Sequence, residues 1–113
     1  MKLKELPADI KILIVDDLHQ VFLDKLNEAG LFYTYQPDID RREALNIIEH
    51  YQVLVIRSKF KVDQEVLDQA KCLKYIARAG AGMDNIDEEL ALRQGICLLN
   101  APEGNRDAVG EHL

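Results

Sequence analysis

Residues 53–60 read VLVIRSKF, and this stretch decides the fold of the chain. Four consecutive aliphatic residues, with no alternation of apolar and polar positions, favour a strand that is buried on both faces, as in parallel sheets. Working outward from this stretch, the same kind of apolar run occurs at 10–15, Phe32–Tyr35, Tyr75–Ala79 and 96–99. The sequence therefore predicts five short strands, each buried in a sheet.

Helical patterns separate these runs. Asp40 with Glu43 is a capping-box pair, Asp63 can cap the next helix, and residues 85–87 open another. Gly30 and Gly95 supply helix stops. The side chains predicted to face inward are, helix by helix, Val21, Phe22, Leu26 and Ala29; Ala44, Leu45, Ile47 and Ile48; Val66, Leu67 and Ala70; and Leu90, Ala91 and Leu92.

Strands that alternate with helices force right-handed crossovers and a parallel sheet covered by helices. Five strands suit the flavodoxin-like α/β order 2-1-3-4-5, a three-layer fold with helices on both faces of the sheet. In such sheets ligands bind beyond the carboxyl ends of the strands. The residues that follow each strand are therefore the ones to examine for chemistry.

Composition limits the possible functions. The chain has 113 residues, 48% hydrophobic and 30% charged, which fits one globular domain and is too short for a two-domain NAD enzyme. A net charge of −6 argues against nucleic acid as a partner, and no apolar run approaches the length of a membrane helix. Cys72 and Cys97 are predicted to be buried or partly buried free thiols in a reducing, cytoplasmic environment.

Cations follow two of the predicted strands. Arg57, Ser58 and Lys59 come after the third, while Arg78 ends the fourth and leads into the Gly80-Ala81-Gly82 turn. Arginine binds carboxylate and phosphate through its two-pronged guanidinium, and glycines let backbone amides approach a ligand closely. This edge predicts a site for a small anion. Surface basic residues without a ligand remain the alternative at this point.

Other candidate motifs are weak. The Gly80-Ala81-Gly82 turn lacks the third glycine of a dinucleotide fingerprint, because Asn85 stands there, so it is not predicted to bind NAD. His50 is expected to be structural or solvated, His112 lies in the last residues, and His19 has no carboxylate at a spacing that would orient it. The chain is therefore predicted to hold no catalytic, cofactor-binding or metal site of its own.

Several spaced motifs occur together in a recognisable order. They are VIRSK at 55–59, YIARAGAGMDNID at 75–87, GI at 95–96, NAP at 100–102, Asn105 and VGE at 109–111. In this order they resemble the D-isomer-specific 2-hydroxyacid dehydrogenases, and most of all the branch of that family that oxidises 3-phosphoglycerate. The resemblance covers residues 10–113.

The resemblance implies a role for each part of the chain. Residues 1–102 would be the first portion of the substrate-binding domain, and 103–113 the start of the helix that crosses to an NAD-binding domain absent here. Arg57 and Arg78 would bind the substrate anion, the amides around Gly80, Ala81 and Gly82 would hold its carboxylate, and Ser58 and Lys59 would line the pocket. The hinge would begin at Asn100, Ala101 and Pro102.

The resemblance also implies what the chain lacks. The cofactor of the parent enzyme would be NAD, but the residues that bind it and transfer the proton would follow Leu113, so the chain alone is expected to be inactive. A segment from the end of the full protein would normally cover part of the sheet, and its absence is expected to favour a homodimer through the exposed surface. Phe60 stands where relatives often have Thr.

Three other interpretations stay open. A receiver domain shares this strand order, and Asp16-Asp17 resembles its acidic loop, but Arg57 stands where the phosphorylated Asp would be and Leu99-Asn100 where its Lys would be. An FMN-binding flavodoxin-like module would need a Ser-, Thr- and Gly-rich loop after the first strand. A truncated paralogue with a regulatory role is the third.

Overall fold

The computed structural model describes residues 10–18, 20–57, 60–79 and 86–101, with only the backbone of Ala79, Asn100 and Ala101. Five strands and four α-helices alternate along this part of the chain. Their bounds are β1 Lys11–Ile14, α1 Gln20–Glu28, β2 Phe32–Tyr35, α2 Arg41–Ile47 with a 3-10 turn Ile48–His50, β3 Val53–Ile56, α3 Gln64–Gln69, β4 Tyr75–Ala79, α4 Glu88–Arg93 and β5 Cys97–Ala101.

All neighbouring strands pair in parallel, in the order β2-β1-β3-β4-β5. The fold class and strand order predicted from the sequence are therefore confirmed. β3 occupies the centre, and all four of its residues are buried, which is why its run is aliphatic without alternation. The two edges of the sheet are β2 and β5.

Helices pack on both faces of the sheet, as predicted. One face carries α2, α3 and α4, whose buried Ala44, Val66 and Ala91 join a core cluster with Leu54 and Ile76. On the opposite face, α1 packs on residues of β1 and β3. We call these the three-helix face and the α1 face.

The α1 face is less completely covered towards β5. Tyr75 and Leu99 are only partly buried there, and Cys97, which pairs with Tyr75 across the two strands, is exposed. Since α1 packs mainly on the β1–β3 half, the β4–β5 half of this face is covered only in part by the described residues.

The predicted helix ends are confirmed. The side chain of Asp40 accepts from the Glu43 amide, and the Glu43 side chain accepts from the Asp40 amide, so the predicted capping box is present. Asp63 and Asp87 cap α3 and α4. Gly30 and Gly95 have φ values of 72° and 78°, the left-handed conformation that glycine adopts most easily after a helix.

Some details differ from the sequence-based predictions. The buried residues of α1 are Phe22, Leu23 and Leu26, so Leu23 replaces Val21 on the inward stripe, and Ala29 lies beyond the helix. The inward position predicted for Leu92 on α4 is also wrong, because this side chain is 60% exposed. The burial predicted for Cys72 and Cys97 is wrong, because both are exposed. Cys72 lies in the turn after α3, and Cys97 begins an edge strand that α1 does not cover.

No helix in the described part of the chain combines the length and apolar character needed to span a bilayer.

Candidate functional site

The carboxyl ends of parallel strands lie along one edge of the sheet, and the candidate site is at this edge. We call it the carboxyl rim and define it by the described residues 15–18, 35, 41, 57, 60–62, 78–79 and 86–87. β1, β3 and β4 are neighbours in the sheet, and the register pairs Ile56 with Arg78. Arg57 and Arg78 therefore lie on the same rim, at the ends of adjacent strands.

Arg57 is tied to the loop that follows β1. Its amide donates a 2.7 Å hydrogen bond to Oδ2 of Asp16, and its Nη1 donates over 2.9 Å to the carbonyl oxygen of Asp17. The residue as a whole remains exposed. The guanidinium thus lies above the junction of β1 and β3, within reach of a ligand at the rim.

Tyr35, at the end of β2, fixes the same loop from the other side. Its hydroxyl donates to Oδ1 of Asp17 over 2.8 Å and accepts from the amide of Leu18 over 3.3 Å. The hydrogen bond to the Asp17 carboxylate raises the pKa of Tyr35, and desolvation adds to the shift, because both disfavour the phenolate. The loop after β1 is therefore anchored to both neighbouring strands.

Arg78 lies within β4 and is half-buried. Alternation along the strand puts its side chain on the same face as Ile76, which is in the core of the three-helix face. Arg57 instead reaches towards the β1 loop, so the two arginines share the rim but approach it from different directions.

Other predicted site residues fall outside the part of the chain that the structure describes. These are Ser58, Lys59, Gly80, Ala81, Gly82 and Pro102, together with His19 and His112. Asn100 and Ala101 still pair with β4, opposite Arg78 and Ala79.

Phe60 and Arg41 build the part of the rim next to β3. Phe60 packs against the core of the three-helix face, and the Arg41 guanidinium carbon lies 5.8 Å from the centre of its ring. Arg41 also donates to the Lys61 carbonyl and forms ion pairs with Asp63 and Glu65, at 2.9 and 2.8 Å. Phe60 therefore contributes to packing at this point.

These contacts shift two pKa values. Hydrogen bonds to Glu65 and Asp63 raise the pKa of Arg41. The hydrogen bond from Arg41 lowers the pKa of the Asp63 carboxyl, because it favours the charged form. Two carboxylates already neutralise Arg41, so it is a structural cation.

The described residues do not fit the NAD pyrophosphate. The helix that follows the G-x-G motif in the chain is α4, and its first turn carries Glu88 and Glu89, with Asp87 as the cap. A pyrophosphate needs free amides and a positive helix terminus, and these carboxylates occupy and neutralise it. Among the described residues, no group of three His, Cys, Asp or Glu side chains could hold a metal ion.

Sequence reasoning placed Asp16 and Asp17 after the first strand, but it assigned no contact with Arg57 to them and no role to Tyr35. The acidic pair was compared only with the acidic loop of a receiver domain. The strand order contained a usable signal, since 2-1-3-4-5 places the ends of β2, β1 and β3 side by side. A carboxylate after β1 is then within reach of an amide after β3.

Comparisons with known proteins show the family of this chain. Residues 12–113 match the D-isomer specific 2-hydroxyacid dehydrogenase, catalytic domain, family. D-3-phosphoglycerate dehydrogenase of Archaeoglobus fulgidus is 38% identical over 91% of this chain and 20% of its own length, and that of Homo sapiens is 34% identical over 89% and 19%. The chain thus spans about a fifth of the length of these relatives.

Solved structures show the same similarity. A protein of Thermus thermophilus has a TM-score of 0.73 at 32% identity, covering 82% of this chain and 30% of that one. The NAD+-bound 3-phosphoglycerate dehydrogenase of Entamoeba histolytica has a TM-score of 0.72 at 26% identity, covering 84% and 33%. The receiver-like and FMN-binding alternatives are not favoured, and the chain belongs to the D-isomer-specific 2-hydroxyacid dehydrogenase family.

Proposed function

We propose that this chain binds the anionic substrate of an NAD-dependent D-2-hydroxyacid dehydrogenase, and that the substrate is D-3-phosphoglycerate, at the start of serine biosynthesis in the cytoplasm. The observation that carries the proposal is the location of Arg57 and Arg78 on one rim, at the ends of adjacent strands. The names of the similar proteins from Archaeoglobus fulgidus and Homo sapiens support this substrate over other 2-hydroxy acids.

The chemistry of the rim suits such an acid. Arginine donates two parallel hydrogen bonds to a carboxylate or phosphate, and Arg57 and Arg78 would take the two anionic ends of the substrate. Ser58 and Lys59 follow Arg57 and would line the pocket. Backbone amides of Gly80, Ala81 and Gly82, which come two to four residues after Arg78, would hold the carboxylate. This part of the enzyme positions the substrate, which lowers the barrier to hydride transfer through orientation.

The proposed domain organisation follows from the same similarity. Residues 1–102 would belong to the substrate-binding domain, residues 103–113 would begin the crossing helix, and Asn100, Ala101 and Pro102 would form the hinge. NAD, which supplies the hydride acceptor, would be held by another part of the full protein. We therefore expect no NADH formation by these 113 residues. The incompletely covered β4–β5 half of the α1 face supports a homodimer of this chain.

Nuclear magnetic resonance titration of the 15N-labelled 113-residue chain tests substrate binding. D-3-phosphoglycerate should shift the amide signals of Arg57 and Asp16, while D-glycerate, which lacks the phosphate, should bind more weakly. Arg57→Gln should raise the Kd about tenfold or more, because a hydrogen bond to a charged group is lost.

Arg93→Gln is the matched control. Arg93 is at the far end of α4, away from the rim, and pairs with Glu89 in the same helix. This variant should bind as the unaltered chain does. Equal binding by Arg57→Gln, or shifts confined to residues away from the carboxyl rim, would refute the proposed site.

A further inference from the structure

Three successive contacts link the ends of β2, β1 and β3. Tyr35 donates to the Asp17 carboxylate, the Asp17 carbonyl accepts from the Arg57 guanidinium, and the Asp16 carboxylate accepts from the Arg57 amide. The distances are 2.8, 2.9 and 2.7 Å. β2 therefore contributes Tyr35 and the loop after β1 contributes Asp16 and Asp17 to a hydrogen-bonded network that ends at Arg57, after β3.

We propose that Asp16 and Tyr35 are positioning residues that hold Arg57 in the orientation in which it binds the substrate anion. This inference rests on the proposed function, because it assigns to both residues an effect on ligand affinity that a purely structural role would not have. Neither residue needs to touch the ligand. Both act through Arg57, Asp16 on its backbone and Tyr35 through the Asp17 carbonyl.

The way the two carboxylates are used supports this role. A pair of acidic residues beside an anion site would repel the ligand if both faced it. Here Oδ2 of Asp16 accepts from a backbone amide, and Oδ1 of Asp17 accepts from the Tyr35 hydroxyl. Asp17 contributes its uncharged carbonyl to the guanidinium, so this contact orients Arg57 without cancelling its charge.

Arg41 is held in the same molecule by a different kind of contact from the one between Asp17 and Arg57. Its guanidinium binds two carboxylates, those of Asp63 and Glu65, and it joins two helices. An arginine used to join helices is held by charge, whereas the contact from Asp17 to Arg57 uses a main-chain oxygen. If the Arg57 side chain is already held in one orientation, less conformational entropy is lost when the ligand binds.

The network includes both an aromatic hydroxyl and a backbone contact, and each can be removed separately. Tyr35→Phe deletes only the oxygen that holds Asp17. Asp16→Ala deletes the acceptor of the Arg57 amide, while Asp16→Asn removes the same charge and keeps an acceptor oxygen. A difference between the two Asp16 variants therefore reports on the hydrogen bond and not on electrostatic repulsion of the ligand.

The experiment measures the Kd for D-3-phosphoglycerate and the Tm of the 113-residue chain and its variants. Tyr35→Phe and Asp16→Ala should each weaken binding roughly three- to tenfold, the effect of one lost hydrogen bond, and Asp16→Asn should recover most of the loss caused by Asp16→Ala. The Arg57 Nε–Hε signal should also become more mobile in Tyr35→Phe.

Tyr51→Phe is the matched control. Tyr51 precedes β3, at the opposite end of the strand, and its hydroxyl donates to Oγ1 of Thr34 over 3.0 Å. This variant should lower the Tm by a similar amount and leave the Kd unchanged. If the unaltered chain binds and Tyr35→Phe binds equally well, the positioning role is refuted and the proposed function stands. If the unaltered chain does not bind, both are refuted.

Discussion

Nη2 of Arg41 donates to Oδ1 of Asp63 over 2.9 Å, and this ion pair joins the first residue of α2 to the cap of α3. Asp63 has two tasks in this position, because its carboxylate also accepts from the Val66 amide. The Arg41 guanidinium is the larger influence on the Asp63 carboxyl and lowers its pKa below the ordinary value of 3.8. The contact between α2 and α3 therefore depends on pH, through the protonation of Asp63.

The first prediction concerns stability in acid. A carboxyl whose pKa is lower in the folded chain stabilises the fold above its unfolded pKa, and this contribution is lost as pH falls through the folded value. We expect the free energy of unfolding to fall below pH 4, partly through Asp63. In Asp63→Asn this part of the pH dependence should disappear, while asparagine still caps the helix.

The effect at neutral pH should be small. The Asp63 side chain is 48% exposed and that of Arg41 32%, so water screens the pair and Asp63→Asn should cost about 0.5–1 kcal/mol at pH 7. Urea unfolding at pH 7 and pH 3 measures both quantities. Asp68→Asn, which removes an exposed carboxylate from the same helix, is the control. An unchanged pH dependence in Asp63→Asn would contradict the assignment.

The second prediction concerns stability in alkali. The pKa of Tyr35 is raised above 10.0 in the folded chain, first by its hydrogen bond to Asp17. A group of this kind stabilises the fold below its unfolded pKa, and the contribution is lost as pH rises through the folded value. Unfolding free energies measured above pH 10 should fall less steeply for Tyr35→Phe than for the unaltered chain.

Site-specific titration tests the same shift directly. The 13Cζ signal of Tyr35 should have its titration midpoint at a higher pH in the unaltered chain than in Asp17→Asn. The reason is that the amide of asparagine carries no charge and does not destabilise the phenolate as the carboxylate does. Identical midpoints in the two proteins would show that Asp17 does not cause the shift.

The fold could be predicted well from the sequence because its signals are local. The aliphatic runs, the aspartates at helix starts and the glycines after helix ends each depend on a few adjacent residues, and the strand order follows from alternation. The inward stripe of α1 was harder to assign, because Val21, Phe22 and Leu23 are consecutive apolar residues and only tertiary packing selects two of them.

The site could be predicted only in part. The cations at strand ends were identified from the order of elements, but the partners of Arg57 lie 40 and 41 residues away in the chain. Such contacts depend on which strands are neighbours and on the direction of each side chain. The periodicity of the sequence gives no information on either. The exposure of Cys97 is similar, because it depends on how far α1 extends across the sheet.

The third prediction concerns the core. Leu54 is in the central strand, fully buried, in contact with the cluster of the three-helix face. Leu54→Ala should cost about 3 kcal/mol, since it removes buried methyl groups and leaves a cavity. Leu92→Ala is the matched control, because Leu92 is 60% exposed on α4, and its cost should stay within about 0.5 kcal/mol. Urea unfolding of both variants measures the difference; equal costs would contradict the assignment of the core.

The fourth prediction concerns self-association through the β4–β5 half of the α1 face. Tyr75 and Leu99 are partly buried there and Cys97 is exposed, so a second copy of the chain could bury apolar surface that α1 leaves uncovered. Sedimentation velocity should show dimers as the concentration rises, and Leu99→Lys should abolish them, because a buried ammonium is costly. Leu92→Lys places the same charge on α4, on the three-helix face, and should dimerise like the unaltered chain. A monomer at every concentration, or equal loss of dimer in both variants, would exclude this face as the interface.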